Sequence, residues 1–495
     1  MPRRIHGLLG FALLVTLGGE AAAQQTPDKN PAQIPDPQTK NIPTVPLPDP
    51  SGGQTPPVAP KTVESKVPPP VNIPTAPPNA DVVNRPLTAE EAVRIALRKQ
   101  PNVEIARAGI AAQQGLTEQV RSALFPSLGL SAGYNNVTVI SGAGSGGSGS
   151  SGTGGSSSSG FTGSAVVRQL IFDFNHTREL VRQSDAFTRA AEQNLTRVQS
   201  DLVSQVKQAY YLVVLDDALV VVNQDNLRNR GSQLALAKAR LNSGLGLPSD
   251  VATAETAYSA GIITLSVAQN NAALARVNLA LLMGIDARTP FTTVVGGEPA
   301  FPSDDVNALV DQALKQRPDV LQAQATVDAN RHAVSAAKTF NAPVVAGTLG
   351  LTSRGDSFLP GDNGLTVGAS VTFTPFDGGL TQGRVKEARA NLDSAQASLQ
   401  GTRQTVVSDV AQAWLNLRTA EQRVTTANEE VTNASEGVRI ATGRYSSGLG
   451  LFQDIITAQA LLVTARTDVV NAQAQVDTSR AALRRAIGTP PPVVR

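Results

Sequence analysis

Apolar residues in the second half of the chain recur in steps of three and four, at Val407, Val410, Trp414 and Leu417, then at Val424, Ala427, Val431, Ala434 and Val438. They recur again at Leu462, Ala465, Val469, Ala472, Val476 and Leu483. Such spacing keeps one stripe of a helix apolar, and sustained over many turns it is the seam of a coiled coil. The many alanines let neighbouring helices approach closely, and the polar remaining faces suit helices wetted on both sides of a thin wall. No proline lies between Pro126 and Pro248 or between Pro375 and Pro490. Two stretches of roughly 65 residues are therefore free to run as helices of about 100 Å at ~1.5 Å rise per residue.

A second pattern has period two. Leu365, Val367, Ala369, Val371 and Phe373 alternate with Thr366, Gly368, Ser370, Thr372 and Thr374, which predicts a strand of about ten residues, apolar on one face and small and polar on the other. Val345 through Leu351 reads as its partner, with a turn at 356–364. Leu128, Leu130, Ala132 and Tyr134 predict a third strand and residues 165–172 a fourth. No apolar run is long enough for a membrane helix; the best, Tyr210 to Val222, is broken by Asp216 and Asp217. Membrane insertion must then use strands.

The two halves repeat. Pro101 and Pro318, Arg121 and Lys338, and Pro126 and Pro343 are 217 positions apart; Phe172 and Phe376, Gly244-Leu245-Gly246 and Gly448-Leu449-Gly450, and Gly284 and Gly488 are 204 apart. The drop of 13 places an insertion in the first copy, in the interval holding residues 141–160, where nine glycines and nine serines in 20 residues read as a surface loop. Each copy reads as helix, strand pair, long helix, turn, helix. The expected organisation is a signal peptide over 1–23, a Pro-rich tether over 24–86, a first repeat over 87–290, a second over 303–488 and a tail over 489–495.

The signal peptide rests on Arg3 and Arg4, an apolar stretch from Leu8 to Leu17 and Ala21-Ala22-Ala23. The tether rests on 18 prolines in the 62 residues from Gln25 to Pro86. The folded part begins near Leu87, where Thr88, Glu90 and Glu91 suit a helix start. Four strands cannot close a barrel, and an open sheet edge in hydrocarbon leaves backbone groups unpaired, so several chains must share one. Three chains give twelve strands and bring the long helices into one ring beneath them.

Composition removes most chemistry. The chain has 42 Lys plus Arg against 40 Asp plus Glu, a net charge of +2, so no strong field selects nucleic acid. It has no cysteine, which excludes disulfides, thiolate metal sites and a cysteine nucleophile. His6, His176 and His332 stand far apart and read as surface or targeting residues. No Ser/His/Asp, phosphate-cradling or metal constellation is present, so neither an enzyme nor a cofactor is expected.

Two features carry a family resemblance over nearly everything from Leu87 to Gly488. The opening LTAEEAVRIALRKQPNVEIARAGIAAQQGLTEQVRSALFPSLGLSAGY is similar to the entry segment of TolC-like outer-membrane efflux proteins, and ARLNSGLGLPSDVATAE and GRYSSGLGLFQDIITAQ resemble that family's two helix-turn-helix tips. The resemblance implies a mainly α chain with a membrane β-barrel: four strands per chain in a shared twelve-stranded barrel, above a trimeric helical barrel of long coiled-coil helices. It implies a homotrimer in outer-membrane lipid, spanning into the periplasm and docked to a periplasmic adaptor and an inner-membrane transporter. The expected function is the exit duct of a tripartite efflux or type I secretion system; the alternative is a trimeric coiled-coil structural or adhesin-like outer-membrane protein. The resemblance further implies adaptor contact at Gly244, Leu245, Gly448 and Leu449, and a pore gate at Asp454 with Tyr445. Thr457 stands where a second gate carboxylate would be. Asp250 reads as a gate residue or a helix cap. The pair Tyr210-Tyr211 and Trp414 read as packing between helices.

Overall fold

The structure, a computed structural model, describes residues 86–139, 156–301, 305–355, 361–490 and 492. The expected signal peptide, almost all of the tether and residues 141–155 lie outside the described residues. Eight helices and four strands are described, in the order α1 (Ala89–Lys99), α2 (Pro101–Ser122), β1 (Ser127–Val139), β2 (Ser156–Phe172), α3 (His176–Asn242), α4 (Pro248–Leu282), α5 (Val306–Gln316), α6 (Pro318–Lys338), β3 (Val344–Gly355), β4 (Asp362–Thr372), α7 (Leu380–Ser446) and α8 (Phe452–Ala486). α1 starts where the sequence places it: the Thr88 side chain accepts from Glu91 N–H, and the Glu91 carboxylate accepts from Thr88 N–H.

The repeat is visible element by element. α1 and α5 have 11 residues each and start 217 positions apart, while α3 and α7 have 67 each and α4 and α8 have 35 each, both pairs 204 apart. A helix of that length runs about 100 Å. The buried cores correspond as well. Leu202, Val206, Val213, Leu279 and Met283 in the first copy match Val406, Val410, Leu417, Leu483 and Ile487 in the second, and all are buried. Val406, not the Val407 of the sequence reading, sits in the seam; Val407 is exposed. Adjacent residues on a helix point about 100° apart, so a one-residue slip moves a side chain out of the interface.

The four strands form one antiparallel sheet in the order β1-β2-β3-β4, with β2–β3 pairing joining the two copies. Residues 156–160, expected in the loop, instead extend β2 against β1 from Asn135 to Val139. Register explains the face pattern. Leu128, Val167, Leu349 and Val367 stand opposite one another across all four strands, and so do Leu130, Ala165, Leu351 and Leu365. The next row over is Gly129, Val166, Gly350 and Thr366, and beyond it Ser131 and Ser164 hydrogen-bond through their hydroxyls at 2.7 Å. One face is therefore a continuous apolar band, with Leu130 and Val367 each 75% exposed, and the other is small and polar. Aromatics bracket the band: Tyr134 stacks on Phe161 at 4.9 Å toward one end and Phe172 on Phe174 at 4.8 Å at the other. That is the arrangement of a membrane barrel wall with interfacial girdles.

Between α4 and α5 the chain runs as a strap across the helices. Leu87 pairs with Thr293, and Tyr210 donates its hydroxyl to the Leu87 and Val294 carbonyls. Glu298, buried, accepts from Tyr211 Oη at 2.8 Å and pairs with Lys207 at 2.5 Å and Arg484 at 3.1 Å. Arg480 donates to the Glu298 carbonyl, and Asp477 accepts from the Glu298 N–H. Tyr210 and Tyr211 thus pack between helices as expected, and they also tie the strap down. Trp414, the counterpart of Tyr210, packs half-buried against the second core.

The histidines depart from expectation. His176 and His332 are half-buried where α3 meets α6: His176 Nδ1 lies 2.9 Å from the Ala336 carbonyl, and His332 Nδ1 lies 2.7 Å from the Glu179 carboxylate. Burial opposes ionisation of Glu179, but the hydrogen bonds from His332 and Arg182 outweigh it and hold its pKa below the usual value. His6 lies outside the described residues.

Candidate functional site

Each long helix ends in the same turn. At the first, Gly244 has φ +74° and donates to the Leu241 carbonyl, while Leu245 N–H reaches the Arg240 carbonyl at 2.9 Å. At the second, Gly448 has φ +77° and donates to the Tyr445 carbonyl, while Leu449 N–H reaches the Arg444 carbonyl at 2.8 Å. This is a Schellman closure, and the left-handed residue it requires is glycine for lack of a Cβ. The second glycine of each turn is fixed by space instead. A Cβ on Gly246 would lie 2.8 Å from Leu241 N, and one on Gly450 2.9 Å from Arg444 Cβ. Pinned this way, the turns hold Leu245 and Leu449 outward, 74% and 83% exposed.

Behind the turns the two hairpins meet. Ala237 of α3, Ala254 of α4, Ala441 and Tyr445 of α7, and Phe452 and Ile455 of α8 form one buried cluster. Tyr445 is its centre. Its hydroxyl donates to Asp250 Oδ2 at 3.1 Å, its ring packs on Phe452 at 5.3 Å, and the Arg240 guanidinium sits 4.5 Å over the ring while donating to the Tyr445 carbonyl at 2.7 Å. Burial, reinforced by the Asp250 carboxylate it donates to, pushes the Tyr445 phenol above its ordinary pKa, so it stays a donor. A tyrosine of one hairpin is thus fastened to a carboxylate and a guanidinium of the other.

Asp250 does not cap. α4 has no side-chain cap, and the Asp250 carboxylate faces Tyr445. Asp454, its counterpart 204 positions on, is exposed and accepts from Leu451 N–H at 3.2 Å, so it closes the amino end of its own helix. Thr457 is exposed and its hydroxyl donates to the Gln453 carbonyl. The structure therefore brings Tyr445 and Asp250 together and leaves Asp454 at the surface. Sequence reasoning named both partners of the contact but missed Arg240.

Among the described residues no group of three or more His, Asp or Glu side chains is arranged to hold a metal, and no helix is long and apolar enough to cross a membrane.

The chain matches the family described as outer membrane efflux protein over residues 92–285 and 309–489. It is 27% identical over 439 residues to Protein CyaE of Bordetella pertussis, covering 87% of this chain and 89% of that one. It is 25% identical over 391 residues to Outer membrane protein TolC of Escherichia coli, covering 75% and 76%. Among solved structures, the Campylobacter jejuni CmeC outer membrane channel superposes with a TM-score of 0.72 at 18% identity, covering 81% of this chain and 85% of that chain. The Vibrio cholerae outer membrane protein VceC superposes at 0.70 with 21% identity, covering 81% and 96%.

Proposed function

The chain belongs to the outer membrane efflux protein family, and from that premise we propose that it is the outer-membrane exit duct of a tripartite efflux or type I secretion system. The observation that carries this reading is the sheet. Its four strands leave β1 and β4 as open edges, and its apolar band is continuous across all four. Open edges in hydrocarbon are costly, so copies of the chain must close the sheet on itself; three give twelve strands and set the long helices in a ring below. Residues 87–290 and 303–488 act as two structural repeats, each supplying one strand pair and one helical hairpin. The duct binds no cofactor and performs no covalent chemistry; it passes what a periplasmic adaptor and an inner-membrane transporter deliver. The comparisons favour a channel over an adhesin-like stalk, since the relatives are efflux and outer membrane proteins.

The tips supply the docking and gating surfaces. Leu245 and Leu449, held out by Gly244 and Gly448, are the apolar contacts for the adaptor, because large exposed side chains on a rigid turn add binding area at little ordering cost. Tyr445 on Asp250 keeps the two hairpins of a protomer together in the resting state, and Asp454 forms a ring of three carboxylates about the trimer axis. Detergent-extracted protein should migrate as a trimer and conduct ions in a planar bilayer. A soluble monomer without conductance would overturn the assignment.

A further inference from the structure

The strap, α3 and the α7–α8 hairpin line an open cavity of about 950 Å³ that belongs to neither tip nor sheet. That volume lies within the range of small-molecule sites. Its walls are apolar, including Val214, Ala218 and Val222 of α3, Val424 of α7, and Val470 and Ala474 of α8. Its ionic lining is unbalanced, with Asp217, Glu421 and Asp477 against Arg480 alone. Two of those carboxylates are already matched. Asp217 holds Arg276 at 2.5 Å, and Glu421 holds Arg418 at 3.2 Å and Arg480 at 3.4 Å, a repeat-related pair of bridges. Asp477 is different. Its Oδ1 accepts the Glu298 N–H at 2.8 Å, and among the described residues no cation is hydrogen-bonded to it. Arg480, whose charge reaches Asp477, gives its two terminal nitrogens to the Glu298 carbonyl at 3.1 Å and to Glu421. Burial raises the Asp477 pKa and the neighbouring Glu298 carboxylate adds to the rise, which outweighs the lowering by the Glu298 N–H and by the Arg480 charge.

From this geometry we propose that the cavity binds an amphiphilic organic monocation, with its apolar body among the valines and its charged head against Asp477. A part-desolvated carboxylate beside apolar walls favours a hydrophobic cation over both a neutral analogue, which leaves it unpaired, and a metal ion, which the apolar walls do not serve. The site does not depend on the tip assignments, and its occupant would touch both repeats and the strap that joins them.

The test uses the full chain as its detergent-extracted assembly, with rhodamine 6G as cationic probe and N-phenyl-1-naphthylamine as neutral probe, read by fluorescence polarisation. Rhodamine 6G should bind saturably at one site per chain. Asp477→Asn should weaken it about tenfold, the scale expected for losing one part-buried charge contact, while leaving the neutral probe unchanged. Ala474→Trp should abolish binding of both probes by filling the cavity. Val295→Trp, placed at the mouth on a residue 86% exposed and so tolerant of substitution, should weaken both. Size-exclusion chromatography confirms that each variant remains assembled. No saturable binding to the wild-type assembly, as when a neighbouring copy fills the cavity, overturns the proposal. So does binding unchanged in both tryptophan variants. Binding lost in those variants but unchanged in Asp477→Asn overturns the cationic class.

Discussion

The two helix-turn tips have the same backbone and different side-chain roles. Both close with a positive-φ glycine, an outward leucine and a second glycine with no room for a Cβ. Yet Arg240 is folded over a tyrosine while its counterpart Arg444 is exposed, and Asp250 accepts a phenol while its counterpart Asp454 accepts its own helix's N–H. The hydrogen bond between the tips turns on one position. Where the second tip has Tyr445, the first has Leu241, which carries no donor. Duplication therefore preserves what the turn needs geometrically and frees the residues around it, and in this chain the freed residues of the first tip are used to hold the second.

What the tips share should produce the largest effect when broken. Replacing Leu449 with Asp places a charge where the proposed adaptor contact would need apolar area, and retention of the cognate adaptor should fall by about tenfold or more. Adding Leu245→Asp should deepen the loss, while both proteins still form trimers, because both side chains are exposed and outside the core. Unchanged retention of the double variant in a pull-down would remove the leucines from the docking surface.

What the tips do not share comes next. Tyr445→Phe keeps the ring on Phe452 and under Arg240 but leaves Asp250 without its donor. Losing one partner of a part-buried hydrogen bond costs about 1–3 kcal/mol. The loss falls on the contact between hairpins, so single-channel conductance at rest should rise. Leu241→Phe in the first tip adds a ring with no partner carboxylate and should leave conductance unchanged. Equal conductance for Tyr445→Phe and wild type would show that the Tyr445–Asp250 contact is structural only.

The glycine pairs test the shared geometry directly. Gly448→Ala accepts a left-handed backbone at about 1 kcal/mol, whereas Gly450→Ala meets no such torsion and instead forces Arg444 Cβ aside from 2.9 Å. Thermal unfolding should therefore show Gly450→Ala as the more destabilised of the two, and Gly246→Ala above Gly244→Ala in the same way. The reverse order would mean that torsion, not space, limits the turn.

How much of this was legible in the sequence follows from range. Helix lengths, strand alternation and the two offsets depend on local spacing and on where proline is absent, so the long helices and four strands could be read directly. The loop at 141–160 misled at its end because composition reports the preference of isolated residues. Serines 156–159 pair with β1 instead, since any small residue takes an extended backbone when a strand offers partners. Contacts between distant residues left no such trace. Tyr445 and Asp250 are 195 residues apart, His332 and Glu179 are 153 apart, and Glu298 meets Lys207 across 91 from a strap with no periodicity. Asp250 read as a gate residue or a cap, the cap because an acid at the third helical position often is one, as Asp454 shows. Only the presence of a phenol opposite decides otherwise.

The smallest effect concerns those two acids. Asp454→Ala removes an exposed acceptor from Leu451 N–H and an anion from the first turn of α8, which costs about 0.5–1 kcal/mol. If that were its whole role, the variant would unfold slightly earlier and conduct as wild type does. In the gate proposed above, however, three copies of Asp454 ring the trimer axis, and carboxylates within ~10 Å of one another would attract cations to the opening between them. The Ala variant should then lose selectivity for cations and block by multivalent cations as well. Thr457 supplies no charge at the next turn, so the block in the wild type should itself be weak. Asp250→Ala sharpens the contrast, since its carboxylate is turned to Tyr445: it should raise conductance, as Tyr445→Phe does, and leave selectivity intact. A folded Asp454→Ala trimer with unaltered ion selectivity would reduce Asp454 to a cap, and the two tips would differ only in how they hold Tyr445.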